Sequence, residues 1–202
     1  MHPIKHYQDP TSGYTEKLKT FIEKGSDWED SIQMQQSMTL EEAGWQVKVR
    51  WGRQTSDTGQ DLGIGLIADQ DLTAGRVIRI CTVGKSLIIF NSTTNLPNLN
   101  NWKTAKYVQN YSFACECIVD AGVDALLLYV PGNSLNHSEN GNTQATCYEE
   151  ALHLAVTTDV KKGEPLFHDY RKFGRAPSWF LDKLRESIGD ERTVFQGCNE
   201  YV

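Results

Sequence analysis

The chain has no apolar run that approaches the roughly 18 residues needed to span a bilayer. Its first ten residues, MHPIKHYQDP, lack the apolar centre of a secretory signal. Both absences favour an intracellular protein, in the nucleus or the cytoplasm, with no membrane partner.

Cysteine is scarce and irregularly spaced. The sequence contains five cysteines, an odd number, at Cys81, Cys115, Cys117, Cys147 and Cys198. Disulfide frameworks use even sets of cysteines, and structural zinc sites usually contain a CxxC pair, which is missing here. We therefore expect reduced thiols and no metal site.

Positive charge is also in deficit, because 20 lysines and arginines face 26 aspartates and glutamates, for a formal net charge of -6. A nucleic-acid-binding domain usually carries a basic patch, so direct binding to nucleic acid is not expected. An acidic chain is compatible with a basic partner, such as a lysine-containing segment of another protein.

The 202 residues are enough for one well-cored domain with added helical segments. Residues 1–44 are predicted to form an N-terminal helical segment, in which residues 11–43 have apolar side chains at helical spacing and form two short helices separated at Gly25-Ser26-Asp27. Residues 45–174 are predicted to form a β-rich domain. Residues 175–202 are predicted to form a C-terminal helical segment, because apolar residues at helical spacing follow Pro177.

The β-rich domain is predicted from short alternating and apolar runs. Trp45, Val47, Val49 and Trp51 alternate with polar residues or glycine, which is typical of a half-buried strand. Residues 53–63 are predicted to be a loop, and residues 64–68 and 77–81 to pair as a hairpin around a turn at 73–75. A further strand is predicted over 151–158. Short strands with helices at both ends indicate an α+β, mostly β fold.

Two polar blocks suggest a ligand site. The first reads Asn136-His137-Ser138-Glu139-Asn140-Gly141-Asn142, and the second reads Gly163-Glu164-Pro165-Leu166-Phe167-His168-Asp169-Tyr170. Asparagine and histidine tolerate unusual backbone angles and carry donors and acceptors suited to a polar ligand. The alternative for the first block is an asparagine-rich turn, and the alternative for Tyr170 is a half-buried strand tyrosine.

Earlier in the chain, Gly63-Ile64-Gly65 could let the main chain approach a ligand closely, since glycine has no Cβ atom. The alternative is a pair of hairpin glycines. A GxG pattern by itself is a weak signal.

Taken in order, Gly63-Ile64-Gly65, the Asn136-His137 block and the Asp169-Tyr170 block resemble the SET-domain family of protein lysine methyltransferases. The resemblance implies a fold of short strands in small sheets with a knot-like crossing, and methyl transfer from S-adenosylmethionine to a lysine of a histone or another protein. It implies that Gly63, Ile64, Gly65, Asn136 and His137 bind the cofactor. It further implies that Asn142 helps to tie the crossing, and that Tyr170 is the catalytic tyrosine.

The resemblance also gives expected roles to aromatic residues outside these blocks. Phe173 and Trp179 are candidates to cover the adenine of the cofactor or to wall the lysine channel, with packing of the C-terminal helix as the alternative. Tyr111 and Tyr129 are candidates to line the lysine channel, again with packing as the alternative. Cys81 lies near the position where the family often has a channel tyrosine.

The sequence departs from the family pattern at several positions. The Arg-Phe that often precedes the Asn-His pair is replaced by Asn133-Ser134, and a Cys-x-Pro inside the block is replaced by Glu139-Asn140-Gly141. No cysteine-rich segment follows Tyr170. Two alternatives to the methyltransferase hypothesis are an inactive SET-like protein that binds peptides or acts as a scaffold, and an unrelated β module of the SAF type.

Overall fold

The computed structural model describes residues 44–56, 58–82, 86–90, 96–101, 104–105, 108–109, 112–114, 126–129, 135–148, 151–172 and 176–189. Within these ranges, ten strands form three small sheets. The strands are β1 (Val49–Thr55), β2 (Asp61–Ala68), β3 (Val77–Thr82), β4 (Leu87–Phe90), β5 (Ser112–Phe113), β6 (Leu126–Tyr129), β7 (Asn136–His137), β8 (Thr143–Tyr148), β9 (Ala151–Val156) and β10 (Phe167–His168). A helix, α1 (Ser178–Ile188), follows them.

The first sheet is an antiparallel hairpin of β1 and β2, in which Val49 pairs with Ala68. Burial alternates ahead of and into β1, with Val47 and Val49 buried, as the sequence predicted. The predicted loop over 53–63 is wrong, because β1 continues to Thr55 and β2 starts at Asp61. The prediction failed because both strands contain polar residues in the segment that was taken for a loop. A tight turn, in which Ser56 N donates to Gln60 O, closes the hairpin.

The predicted hairpin between 64–68 and 77–81 is also wrong. β2 pairs with β1, and β3 pairs with β9. The reason lies in the connecting segment, where Leu72 exchanges two backbone hydrogen bonds with Val160 and Gly75 N donates to Val156 O. These bonds place the segment before β3 next to the end of β9, so that β3 starts beside β9 and not beside β2.

The central sheet has the strand order β3-β9-β8-β10-β7. β3, β9 and β8 are antiparallel neighbours, whereas β10 lies between β8 and β7 and is parallel to both. The predicted strand over 151–158 is confirmed as β9, which ends at Val156. A short turn joins β7 to β8. β10 comes later in the chain, yet it lies between these two strands in the sheet, so it is inserted into the loop that they form. This insertion is the knot-like crossing, and it confirms the predicted SET-type fold class.

The buried apolar side chains of the described residues form two clusters. One cluster lies around β1, β2 and β9 and includes Leu66, Ile78, Leu135 and Leu154. The other lies between the three-stranded sheet, in the order β4-β6-β5, and α1, where Phe180 and Leu184 are fully buried. The predicted C-terminal helix is thus confirmed as α1, which starts directly after Pro177, while residues 190–202 of the predicted segment lie outside the described residues. Its buried face packs on the second core.

The predicted N-terminal helices over 1–44 lie almost wholly outside the described residues, as do Tyr111 and Phe173. Among the helices that the structure describes, none has the length and hydropathy required to cross a membrane.

The fold buries one histidine of the central sheet. His168 in β10 is 3% exposed, and its Nδ1 atom lies 3.1 Å from Thr143 Oγ1. Burial lowers the pKa of His168 from 6.5 to about 4, and the positive charge of Lys172 contributes to the same shift. The folded protein therefore keeps this imidazole neutral under mildly acidic conditions.

We predict that the free energy of unfolding decreases as the pH falls through this window. Between the unfolded pKa of 6.5 and the folded pKa of about 4, the unfolded chain binds a proton at His168 that the folded chain excludes. The loss is about 3 kcal/mol by the lower end of the window, at about 1.4 kcal/mol per pKa unit. Urea unfolding between about pH 7.5 and about pH 4 measures it. The glutamine of the His168→Gln variant cannot bind a proton in this range. Its free energy of unfolding should therefore fall less with pH, by about 3 kcal/mol. An unchanged dependence would assign the effect to other groups.

Candidate functional site

The two polar blocks meet in the structure. β7 and β10 are parallel neighbours, with Phe167 opposite Asn136 and His168 opposite His137. Tyr170 N donates to His137 Nδ1 at 3.1 Å across a separation of 33 positions, and the two rings are 5.2 Å apart between centroids. The Tyr170 hydroxyl donates to Leu135 O at 2.5 Å. The phenol is therefore held beside the imidazole by both its main chain and its hydroxyl group.

Asn142 holds β10 in the crossing by using both ends of its amide. Its Nδ2 atom donates to Pro165 O at 2.9 Å, and its Oδ1 atom accepts from Phe167 N at 2.9 Å. The neighbouring Thr143 Oγ1 donates to Phe167 O at 2.8 Å. These side-chain bonds supplement the few ladder bonds that a strand of two residues can make.

Gly141 lets the turn between β7 and β8 lie directly on the end of β10. A Cβ atom at this position would be 2.6 Å from Asp169 N and 2.9 Å from the carbonyl carbon of His168. Both atoms belong to the backbone and cannot move aside as a flexible side chain could. The close approach therefore requires glycine for lack of space, although its backbone angles are ordinary.

Asp169 is tied to the same turn through Arg171. The residue is 4% exposed, and its carboxylate accepts from Arg171 Nε at 2.9 Å and from an Arg171 terminal nitrogen at 3.0 Å. Arg171 in turn donates to Glu139 O at 3.2 Å, so one guanidinium bridges the two polar blocks. Burial opposes ionisation of Asp169, but its hydrogen bonds with Arg171 outweigh that effect and hold the pKa of Asp169 below its ordinary value.

The glycine pair lies next to this meeting point. Gly63 adopts a φ of 76°, and a Cβ atom there would meet none of the described residues within 4 Å. Ile64 is 40% exposed, and it is the exposed large apolar side chain of the described residues. A Cβ atom on Gly65 would be 2.7 Å from Asn136 Nδ2. β2 thus passes close to β7, and the Gly63-Ile64-Gly65 segment borders the Asn136-His137 pair.

The remaining predicted site residues lie elsewhere or outside the described residues. Trp179 is partly buried against the second core, with its ring 6.1 Å from that of Phe180. Cys81 is fully buried, and burial raises the pKa of its thiol despite the nearby Arg79. Tyr129 is the last residue of β6, but its side chain lies outside the described part of the chain. Tyr111 and Phe173 also lie outside the described residues. Their expected roles stay predictions.

Comparison with known families identifies the class. The family model of the SET domain matches residues 63–171, which is more than half of the 202 residues. The chain belongs to the SET-domain family. The matched range begins at the first glycine of the GxG segment and ends immediately after Tyr170, so it contains all three motif blocks.

Several solved structures are similar to the chain. Polycomb Repressive Complex 2 of Chaetomium thermophilum bound to GSK126 matches with 22% identity and a TM-score of 0.47, over 69% of this chain and 17% of that chain. The same complex bound to S-adenosylmethionine matches with 19% identity and a TM-score of 0.43, again over 69% and 17%. A Plasmodium falciparum protein proposed to be a histone methyltransferase matches with 16% identity and a TM-score of 0.40, over 62% and 94%. This chain thus spans about a sixth of the length of the Chaetomium chains. No curated protein matches it.

The structure also shows site residues that the sequence did not single out. Gln54 and Leu135 contact the polar side chains of the site, and Arg171 bridges its two halves. Gln54 lies in the segment predicted as a loop, and Leu135 contributes only its carbonyl oxygen. Neither leaves a signal in the sequence. The position of Arg171, two residues after Asp169, could have suggested the pair.

We predict that Gly141→Ala loosens the meeting of the two blocks. The added Cβ atom collides with the backbone at 168–169, which should lower the free energy of unfolding by about 1–3 kcal/mol, as overpacking does. Chemical denaturation measures the change. Gln144→Ala on the exposed side of β8 is the matched control and should change stability by less than about 0.5 kcal/mol. Equal stability of the Gly141 variant and the control would contradict the close approach.

Proposed function

We propose that the protein transfers a methyl group from S-adenosylmethionine to the side-chain amine of a lysine in another protein. The contact between His137 and Tyr170 carries this proposal, because it joins the Asn-His block to the Asp-Tyr block beside the paired strands β7 and β10. Membership in the SET-domain family supports it.

The residues around this point fit the proposed cofactor. S-adenosylmethionine combines an apolar purine with a polar, charged amino-acid end. Ile64 offers an exposed apolar side chain, while the half-buried Asn136 and His137 offer amide, imidazole and main-chain groups. Among the described residues, none lies within 4 Å of the point where a Gly63 side chain would project. These residues would hold the cofactor, which supplies a methyl group on a positively charged sulfur.

The role proposed for Tyr170 is to hold the lysine amine in position. A displacement at a methyl group depends mainly on alignment of the nucleophile and exclusion of water. The Tyr170 hydroxyl donates its proton to Leu135 O, and a hydroxyl that donates in this way has oxygen lone pairs suited to accept from an amine. The bond to Leu135 also fixes the direction of the phenol. Tyr170 would thus present a fixed acceptor to the amine.

The amine must be neutral to react, although a free lysine has a pKa of about 10.4. Apolar surroundings and a neighbouring positive charge both lower the pKa of a lysine. Asp169 is unsuited to act as the base, since its carboxylate is bound by Arg171 and its pKa is held below the ordinary value. Its role in the proposal is to anchor Arg171 and the turn that contains Glu139.

The direct test of the proposal is mass spectrometry of proteins incubated with the full chain and S-adenosylmethionine that carries an isotopically labelled methyl group. Histones and a cell lysate supply basic, lysine-containing segments, in keeping with the acidic net charge of -6. Labelled lysine is the expected result. Binding of the cofactor in calorimetry without labelled protein would favour an inactive, peptide-binding protein instead. Absence of binding would overturn the proposal.

We predict that Tyr170→Phe lowers turnover by about 100-fold and leaves the dissociation constant of S-adenosylmethionine nearly unchanged. The variant loses the hydroxyl that orients the amine but keeps the ring beside His137, and misplacement of a reactant costs rate on this scale. Steady-state kinetics and calorimetry separate the two effects. Tyr148→Phe in β8 removes a hydroxyl outside the motif blocks and is the control. Full activity of the Tyr170 variant would remove it from the reaction.

A second prediction concerns Asn136. Replacing it by alanine should weaken cofactor binding by about tenfold, the scale of one lost hydrogen bond to a charged or buried group. Turnover at saturating cofactor should change much less, because Tyr170 keeps its own bonds to His137 and Leu135. Calorimetry on the folded variant measures the dissociation constant. A value equal to that of the unaltered protein would place Asn136 outside the cofactor site.

A further inference from the structure

Gln54 is a buried polar residue in the middle of the site. It lies on β1 and is 3% exposed. Its Nε2 atom donates to Leu66 O at 2.6 Å, and its Oε1 atom accepts from Asn136 Nδ2 at 2.9 Å. One amide therefore ties the β1–β2 hairpin to β7, across 82 positions of the chain.

Gly65 provides the room for this amide. A Cβ atom at position 65 would be 2.2 Å from Gln54 Oε1 and 2.5 Å from Gln54 Cδ. The same atom would be 2.7 Å from Asn136 Nδ2. All three distances are shorter than real Cβ contacts allow, so the second glycine of the GxG segment makes space for protein side chains. A Cβ atom on Gly63, by contrast, would meet no neighbour within 4 Å in the part of the chain that the structure describes.

The bond to Gln54 determines how Asn136 presents its amide. An asparagine amide can be turned over, exchanging its donor and acceptor ends. Because Gln54 Nε2 is directed to Leu66 O, Gln54 Oε1 is the end that faces Asn136 and it can only accept. Asn136 must then direct Nδ2 to Gln54, so its carbonyl oxygen faces away from Gln54. An incorrect amide orientation would leave a buried group unpaired, at a cost in free energy.

We propose that Gln54 is a positioning residue for cofactor binding, which acts through Asn136 without touching the cofactor, and that Gly65 leaves the room in which this pair is held. The inference rests on the proposed function, since it assigns a role within the same cofactor site. It differs from a purely structural role for Gln54, in which the residue would only hold β1 and β2 together through Leu66.

A first experiment tests the Gln54–Gly65 contact without cofactor. Melting temperatures are compared for Gly65→Ala, Gln54→Ala and the double variant. Gly65→Ala alone should lower the melting temperature by on the order of 5 °C, because the added Cβ atom meets the Gln54 amide. In the Gln54→Ala background the same change should cost clearly less. Additive effects of the two substitutions would overturn the steric part of the proposal.

A second experiment tests the role of Gln54 in cofactor binding. Calorimetry with S-adenosylmethionine is performed on Gln54→Ala, Asn136→Ala and the double variant, all of the full chain. Each single variant should bind about tenfold more weakly, and the double variant should bind as weakly as Asn136→Ala alone, because Gln54 acts through Asn136. Thr55→Ala, the exposed neighbour on β1, is the control and should bind as the unaltered protein does.

Kinetics adds a readout that a merely structural role would not produce. Gln54→Ala should raise the KM for the cofactor by about the same factor as the dissociation constant, with kcat at saturating cofactor retained. Gln54→Met keeps the length of the side chain without its amide, and it serves as the second variant if Gln54→Ala does not fold. An unchanged dissociation constant in a folded Gln54 variant, or losses that multiply in the double variant, would overturn the proposal.

The two experiments separate this inference from the proposed function. If the unaltered protein binds no S-adenosylmethionine, the methyltransferase proposal and the positioning role fail together, while the melting temperatures still decide whether Gln54 and Gly65 are coupled. If the unaltered protein binds the cofactor and the Gln54 variants bind equally well, only the positioning role fails.

Discussion

The insertion of β10 between β7 and β8 is the constraint on which the rest of the site depends. β10 has only two residues, so its place is secured by side chains that bond to its main chain. Asn142 supplies a donor and an acceptor, and Thr143 supplies a further donor. Because Tyr170 comes two residues after the end of β10, the same bonds that hold the strand also determine where the phenol lies.

A second layer of contacts connects the crossing to the β1–β2 hairpin. In β2, Leu66 O accepts from Leu166 N at 2.8 Å, and Ala68 N donates to Glu164 O at 2.9 Å. Gln54 donates to the same Leu66 oxygen and accepts from Asn136 Nδ2. The GxG segment, the Asn-His turn and the strand that leads to Tyr170 are therefore parts of one hydrogen-bonded unit. A change in any of them is expected to affect the others.

Features with a short repeat or a specific motif could be predicted from the sequence. The alternation of apolar residues before β1, the strand β9 and the helix after Pro177 are of this kind. The spacing of the Asn-His and Asp-Tyr blocks predicted that they meet, because it matches a known family pattern. The partners of β2 and β3 could not be predicted, because they are set by bonds between distant segments, such as those of Leu72 with Val160. The role of Gln54 depends on the missing Cβ atom of a residue in another strand, which local sequence does not reveal.

The most direct measurement is a crystal structure of the full chain with S-adenosylhomocysteine, the product of the proposed reaction, and a lysine-containing peptide. The account predicts the ligand against Ile64 and the Asn136-His137 pair, with the lysine amine within hydrogen-bonding distance of the Tyr170 hydroxyl. A ligand bound away from these residues, or a lysine that does not reach Tyr170, would contradict it.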